Sequence, residues 1–149
     1  MVNFGHYKSL VRSHLEYCCP LWNSSKIADI QQIEGVRRTF TSRIWGLQHL
    51  DYWARLKSLK LMSLQRRRGR YVILHMWKIL NGLSPNDLNI KFANPSMLGI
   101  KADVPSLSKS CSQRNHSFAV MGPRLWNILP CQFHHMADLQ PFKNALTEF

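Results

Sequence analysis

Residues 63–83 read SLQRRRGRYVILHMWKILNGL and join a run of arginines to an apolar stripe. The apolar positions recur every three or four residues, which is the period of one face of an α-helix. Asn81 and Gly82 supply residues that commonly end a helix. The stretch therefore predicts a helix from about Ser63 to Leu80. Its stripe consists of Val72, Ile73, Met76, Trp77, Ile79, Leu80 and Leu83.

The same periodicity predicts three shorter or weaker helices upstream. The first covers residues 4–17 and is stopped by Pro20. The second runs from a cap near Ser25 to about Gly46, and a third begins at a capping Asp51. The apolar stripes are Tyr7, Val11, Leu15 and Cys18 in the first helix, and Ile33, Val36, Phe40, Ile44 and Leu47 in the second.

Beyond residue 83 the composition changes, because six of the seven prolines lie there. Long helices are not expected in such a segment. The sequence FAVMGPRLWNILP predicts a short apolar segment broken at Gly122 and Pro123, and Asp138 is placed to cap a final helix through Thr147.

These elements predict a mainly α protein with two parts. Residues 1–83 should form a small helical bundle, and residues 84–149 an irregular, proline-containing segment with one short terminal helix. Charge follows a similar division, with net values of +3 in residues 1–50, +7 in residues 51–83 and +2 beyond them. The total of +12 makes polyanions, and nucleic acid first among them, the expected partners.

The cysteines and the lengths of the apolar runs indicate the cellular compartment of the protein. Four cysteines, two of them adjacent, suit neither a disulfide framework nor a chelating pair. No apolar run approaches the roughly 18 residues that a membrane span needs. We therefore expect an intracellular protein, in the nucleus or the cytoplasm as part of a ribonucleoprotein, with no membrane partner.

Catalysis of nucleotidyl transfer requires carboxylates that converge on two metal ions. The chain has no Asp-Asp pair, and its isolated aspartates lie mostly at predicted caps or turns. We predict that the chain is not an enzyme and needs no cofactor. The aspartates are Asp29, Asp51, Asp87, Asp103 and Asp138.

A zinc site is the alternative that the cysteines and histidines leave open. None of their spacings matches a zinc knuckle or finger, and buried thiols with surface imidazoles explain them without a metal. We therefore predict no metal site. The residues concerned are His14, Cys18, Cys19, Cys111, Cys131, His134 and His135.

The run of Arg66, Arg67, Arg68 and Arg70 has three interpretations. A ladder of guanidinium groups at helical pitch suits successive phosphates. A solvated helix face and a nuclear-import signal are the other two. We predict phosphate binding by this run.

Weaker nucleic-acid-binding candidates lie on the preceding helices. Arg37 and Arg38 are adjacent on the second helix, and Lys57 lies on the third. Among five tryptophans, Trp53 adjoins Tyr52 and is the one predicted to stack on unpaired bases.

Five pieces of the sequence, in order, resemble the region that follows the catalytic core in non-LTR retrotransposon reverse transcriptases. The resemblance is to LINE-type elements related to the chicken-repeat and Jockey families. Ser13 departs from it, since the family usually has proline there. The pieces are LVRSHLEYCCPLW, IADIQQIEGVRRTFTSRIWGL, RLKSLKLMSLQRRRGRYVILHMWKILNGL, FAVMGPRLWNILP and FKNALTEF.

The resemblance implies a thumb-like helical region that contacts RNA or an RNA/DNA hybrid. It also implies that the aspartate-containing motif of the RNA-directed DNA polymerase lies upstream of Met1, so that a missing polymerase domain is a further partner. The alternative is a structural or interaction remnant of the polymerase with no specific ligand. A thumb separated from its polymerase domain should also keep uncovered apolar faces on the first two helices, bearing Tyr7, Val11, Phe40 and Ile44, so self-association is expected.

Overall fold

The structure is a computed structural model that describes residues 7–19, 26–93, 99–106 and 115–148. Within these residues it contains helices and no strand, which confirms the mainly α class. A π-helical turn, Tyr7–Val11, precedes the first α-helix. The helices are α1 (Arg12–Glu16), α2 (Ile27–Ser42), α3 (Tyr52–Ser58), α4 (Leu64–Leu80), α5 (Phe118–Ile128), α6 (Cys131–His134) and α7 (Leu139–Glu148).

The chain divides into two compact units, Met1–Arg68 and Gly69–Phe149. The division therefore falls inside α4, earlier than the predicted division after Leu83. The physical reason is that the apolar stripe of α4 belongs to the core of the second unit, where Met76 and Trp77 are buried. The arginine run lies at the opposite, N-terminal end of this helix.

Local signals place the ends of α3 and α4 where the sequence predicts them. Asp51 caps α3, because its carboxylate accepts the Ala54 N–H at 2.8 Å. The Ser63 hydroxyl likewise accepts the Arg66 N–H at 3.2 Å at the start of α4. At the other end Gly82 has a φ of +69°, and it and the next residue return hydrogen bonds to the last turn. These boundaries are confirmed.

The first two helices differ from the prediction in detail. The predicted first helix begins with the π-helical turn and ends at Glu16. α2 ends at Ser42, and Gly46, with a φ of +82°, lies in the turns that follow. Pro20 and Ser25, the predicted helix stop and cap, lie outside the described residues.

The first unit buries polar groups where an apolar stripe was predicted. On α2 the buried side chains are those of Glu34, Arg37 and Thr41, at spacings of three and four. The apolar Ile27 and Val36 on the same helix are 72% and 42% exposed. The interior of this unit is therefore held by hydrogen bonds and charge as well as by apolar contact.

The second unit has a conventional aromatic core. The indole N–H groups of Trp77 and Trp126 donate to backbone carbonyls at 2.8 Å, so both rings are buried with their polar atoms satisfied. Phe142 of α7 stacks on Trp77 at a centroid distance of 5.5 Å. α7 begins directly after Asp138, as predicted.

The expected break at Gly122 and Pro123 does not occur, because α5 continues through both residues. Proline cannot donate a helical hydrogen bond, which costs about 3 kcal/mol in a helix interior. Burial of the flanking Phe118 and Trp126 offsets that cost. Gly122 lets α5 approach α4 closely, since a Cβ there would lie 2.8 Å from the Met76 sulfur. The predicted break is wrong because packing outweighs local propensity.

Two extended segments of the second unit pair through their backbones, and one side chain links the second segment to α5. Phe92 and Ala102 form an isolated antiparallel bridge. The Asn127 amide then pairs with both backbone groups of Ala102, accepting its N–H at 2.9 Å and donating to its carbonyl at 2.8 Å. Asn127 thus takes the position that a neighbouring strand would occupy, and links α5 to the segment around residue 102.

Candidate nucleic-acid interface

The arginine run does not form a ladder on one open face. Arg66 is exposed on the first turn of α4. Arg67 is half-buried, and its guanidinium donates to both carboxylate oxygens of Glu16, with Nε at 2.5 Å and Nη2 at 3.0 Å. This bidentate pair is the geometry in which an arginine binds a carboxylate most strongly. Arg67 therefore ties α4 to α1 inside the first unit.

Arg68 is 0% exposed, so its guanidinium cannot reach a phosphate in this structure. Burial lowers the pKa of Arg68 below its ordinary value, and the Glu34 carboxylate opposes that shift. We therefore remove Arg68 from the predicted interface. A charge run in sequence is not a charged surface when the helix turns one of its members inward.

Arg70 belongs to the second unit and is bonded there. Its Nη2 donates to the Thr147 hydroxyl at 2.6 Å and to the Lys143 carbonyl at 3.3 Å, both on α7. The side chain is half-buried against α7. Arg70 therefore has a structural role in joining α4 to α7.

The two adjacent arginines of α2, Arg37 and Arg38, also differ in exposure. Arg37 is 0% exposed; its Nε donates to the Tyr7 hydroxyl at 3.1 Å, and its Nη1 donates to the Met62 carbonyl. Arg38 points outward, and its Cζ lies 5.1 Å from the centroid of the Tyr52 ring. Arg37 is removed from the predicted interface for the same reason as Arg68, and Arg38 stays in it.

Lys57 and Trp53 are both exposed on α3. They are four residues apart, so they lie on the same face of that helix. The indole of Trp53 contacts the Tyr52 ring at a centroid distance of 5.1 Å. Tyr52 is also the ring over which Arg38 lies, so these two helices present cations and an aromatic group on one surface.

A buried network, which the sequence reasoning missed, holds this surface in place. The Tyr52 hydroxyl donates to the Glu34 carboxylate, which also accepts the Leu64 N–H at 3.0 and 3.2 Å. Burial and the Glu34 carboxylate raise the pKa of Tyr52 above its ordinary value. A carboxylate at the N-terminus of α4 is favourably placed against the helix dipole. The sequence signal for this network was the three-residue spacing of Glu34 and Arg37 on α2. Two charged residues on one helix face, however, normally indicate that the face is exposed to solvent.

The described residues contain no group of three or more carboxylate, thiol or imidazole side chains that could hold a metal ion. Cys19 is buried, and burial raises the pKa of its thiol to about 11. His134 is buried in the second unit, where its ring stacks on Trp126. Cys111, another zinc candidate, lies outside the described residues. Asp51 serves as a helix cap.

Comparison with models of known protein families, with curated proteins and with solved structures gave no match. Among the described helices, none is long and apolar enough to span a bilayer. The case for a function therefore rests on the sequence and on the exposed side chains of the first unit.

Proposed function

We propose that the chain is a non-catalytic C-terminal region of a non-LTR retrotransposon reverse transcriptase that contacts RNA or an RNA/DNA hybrid. Two things support the proposal. The five ordered pieces resemble that family, and the first unit exposes cations while its two glutamates are paired or buried. The exposed cations include one on each of three helices, Arg38 on α2, Lys57 on α3 and Arg66 on α4.

The observation that carries the proposal is the distribution of charge in the first unit. Glu16 is bound to Arg67, and Glu34 is buried. Neither carboxylate is placed to cancel the field of the exposed cations at the surface. Guanidinium and ammonium groups bind phosphates without regard to base identity. Contact with the nucleic-acid backbone, tolerant of sequence, is the function that this surface supports best.

The test compares two triple variants of the whole chain. Replacing Arg38, Lys57 and Arg66 with alanine removes the proposed phosphate contacts, and all three residues are exposed. Each lost contact should flatten the logarithmic salt dependence of RNA binding by about 0.7 to 0.9, or roughly 2 to 3 in total. Replacing Arg66, Arg67, Arg68 and Arg70 together would be less informative, because three of these arginines hold the fold.

A matched control removes three cations from the second unit, Lys91, Arg124 and Lys143. It changes the net charge by the same amount but should leave the slope nearly unchanged. If both variants flatten the slope equally, total charge and not this surface governs binding. If the unaltered chain binds no RNA even at low salt, the proposed function is refuted. We also expect no primer extension by the purified chain.

One observation favours the second candidate, an interaction remnant of the polymerase. Leu10, Val11, Ile27 and Val36 are exposed apolar residues of the first unit. Of the predicted uncovered face, however, Tyr7 is buried and stacks on Phe40 at a centroid distance of 4.1 Å.

Sedimentation at 0.15 M salt, with titration of a hydrophobic dye, separates the two candidates. Screening at that salt confines charge repulsion to about 8 Å, so apolar self-association is not prevented by the net charge. Oligomers that bind the dye, together with no RNA binding, would favour the remnant. A monomer that ignores the dye and binds RNA would favour the nucleic-acid contact.

A further inference from the structure

Two tryptophans of the first unit are turned into solvent. Trp45, in the turns between α2 and α3, is 86% exposed, and Trp53 on α3 is 63% exposed. By contrast, Trp77 and Trp126 of the second unit are almost completely buried. A large aromatic ring gains several kcal/mol from burial, so its exposure calls for an explanation. The first unit thus exposes both of the tryptophans that it contains among the described residues.

Each of the two tryptophans has exposed cations close to it in the sequence. Arg43 precedes Trp45 by two residues and is exposed. Lys57 shares a helix face with Trp53, and Lys60 follows one turn later, also exposed. Arg38 of α2 lies over the ring of Tyr52, which the Trp53 indole also contacts.

Acidic groups are scarce on this surface. Asp51 is the acidic residue nearest to these tryptophans in sequence, and its carboxylate is occupied as the cap of α3. Aromatic rings flanked by cations could also serve a protein partner, but such a partner would need acidic groups to satisfy four positive charges. A nucleic acid supplies both needs, with phosphates for the cations and base faces for the rings.

We infer that the first unit binds single-stranded RNA or DNA by stacking unpaired bases on the exposed indoles of Trp45 and Trp53, each of which has exposed cations near it in the sequence. The inference rests on the proposed function and makes it more specific. In a duplex the bases are stacked on one another, so their faces are not available to an indole. The unpaired bases of a single strand present free faces on which an indole can stack. Cations alone would serve a duplex equally well. The exposed indoles are what favour the single strand.

The test uses the full chain with a twelve-nucleotide oligouridylate and with a duplex of the same length, at 0.15 M salt. Trp45→Ala and Trp53→Ala should each weaken binding of the single strand by about 5- to 150-fold, the value of one stacked base. The ratio of single-strand to duplex affinity should fall by a similar factor. Trp45→Phe and Trp53→Phe should keep most of the affinity, since a phenyl ring still stacks. Bound oligonucleotide should also quench the tryptophan fluorescence of the unaltered chain.

The outcomes separate this inference from the proposed function. If the cation variants weaken binding while the tryptophan variants do not, the phosphate contact stands and the stacking inference is overturned. An equal loss for single strand and duplex, or a changed circular dichroism spectrum, would mean that the indoles stabilise the fold, and would also overturn it. No binding of either probe would overturn both. Saturable binding of an acidic polypeptide in preference to the oligonucleotide would show a protein partner instead.

Discussion

Replacing Glu34 with alanine should destabilise the first unit more than any substitution on its surface. Glu34 is buried, its carboxylate accepts the Tyr52 hydroxyl and the Leu64 N–H, and Arg68 is the cation that it stabilises. The variant leaves a buried hydroxyl, a helix N-terminal N–H and a buried guanidinium without that carboxylate. Removing one partner from a buried charge network costs about 3 to 5 kcal/mol. Tyr52→Phe removes one hydrogen bond to a charged group and should cost less, about 1.5 to 3 kcal/mol.

Urea denaturation of the whole chain, followed by far-ultraviolet circular dichroism, measures the free energy of unfolding. Gln32→Ala is the matched control, because Gln32 lies on the same helix and is exposed. Its effect should stay within about 0.5 kcal/mol. Glu34→Gln, which keeps an acceptor but loses the charge, should fall between the two alanine variants. If Glu34→Ala unfolds at the same urea concentration as Gln32→Ala, the buried network does not stabilise this unit and the reasoning fails.

Three further predictions concern both units. Gly122→Ala should destabilise the fold by about 1 to 3 kcal/mol, because the new Cβ would meet a buried methionine sulfur at 2.8 Å. Gly35→Ala has nothing within 4 Å of its Cβ and should stabilise α2 by up to about 1 kcal/mol. Equal shifts in the melting temperature of the two variants would contradict this. Asn127→Ala should cost about 1 to 3 kcal/mol in the same melts, since it leaves two backbone groups without their amide partner, and a loss below 0.5 kcal/mol, roughly the size of a surface substitution, would count against it. Burial lowers the pKa of His75 and His134, so the unfolded chain takes up protons first and stability should fall as pH drops below about 6.5. Measuring the free energy of unfolding at several pH values tests this. If the variant with both His75 and His134 replaced by glutamine loses stability with falling pH as steeply as the unaltered chain, the prediction is refuted.

The helix boundaries near residues 51, 63 and 82 were predictable because their signals are local. A capping carboxylate, a capping hydroxyl and a glycine with positive φ act within one turn of the residues that they terminate. The stripe of α4 was predictable for a similar reason, since only a helix brings Val72, Met76 and Ile79 to one side.

The buried face of α2 was not predictable from periodicity. Ile33 and Phe40 mark one side of the helix as apolar, yet the inward side carries Glu34 and Arg37. Their burial depends on partners that are distant in sequence, namely Tyr7, Tyr52 and the start of α4. The burial of Arg68 was not predictable for the same reason, because it depends on the unit that encloses this residue.

The exposed part of the candidate surface was partly predictable. Arg38, Lys57 and Trp53 were chosen from residue type and neighbours, and all three lie at the surface. Trp45 was not chosen, because an aromatic residue next to a predicted helix end is more often a core residue than an exposed one.

The pairing of Glu16 and Glu34 with arginines makes the first unit sensitive to mutation at these two positions. Each glutamate codon is a single nucleotide substitution away from lysine. That change would place another cation among guanidinium groups that already outnumber the nearby carboxylates, whereas an exposed arginine such as Arg66 can be lost without exposing any buried charge. A change of either glutamate to lysine should therefore damage the first unit more than the loss of an exposed arginine.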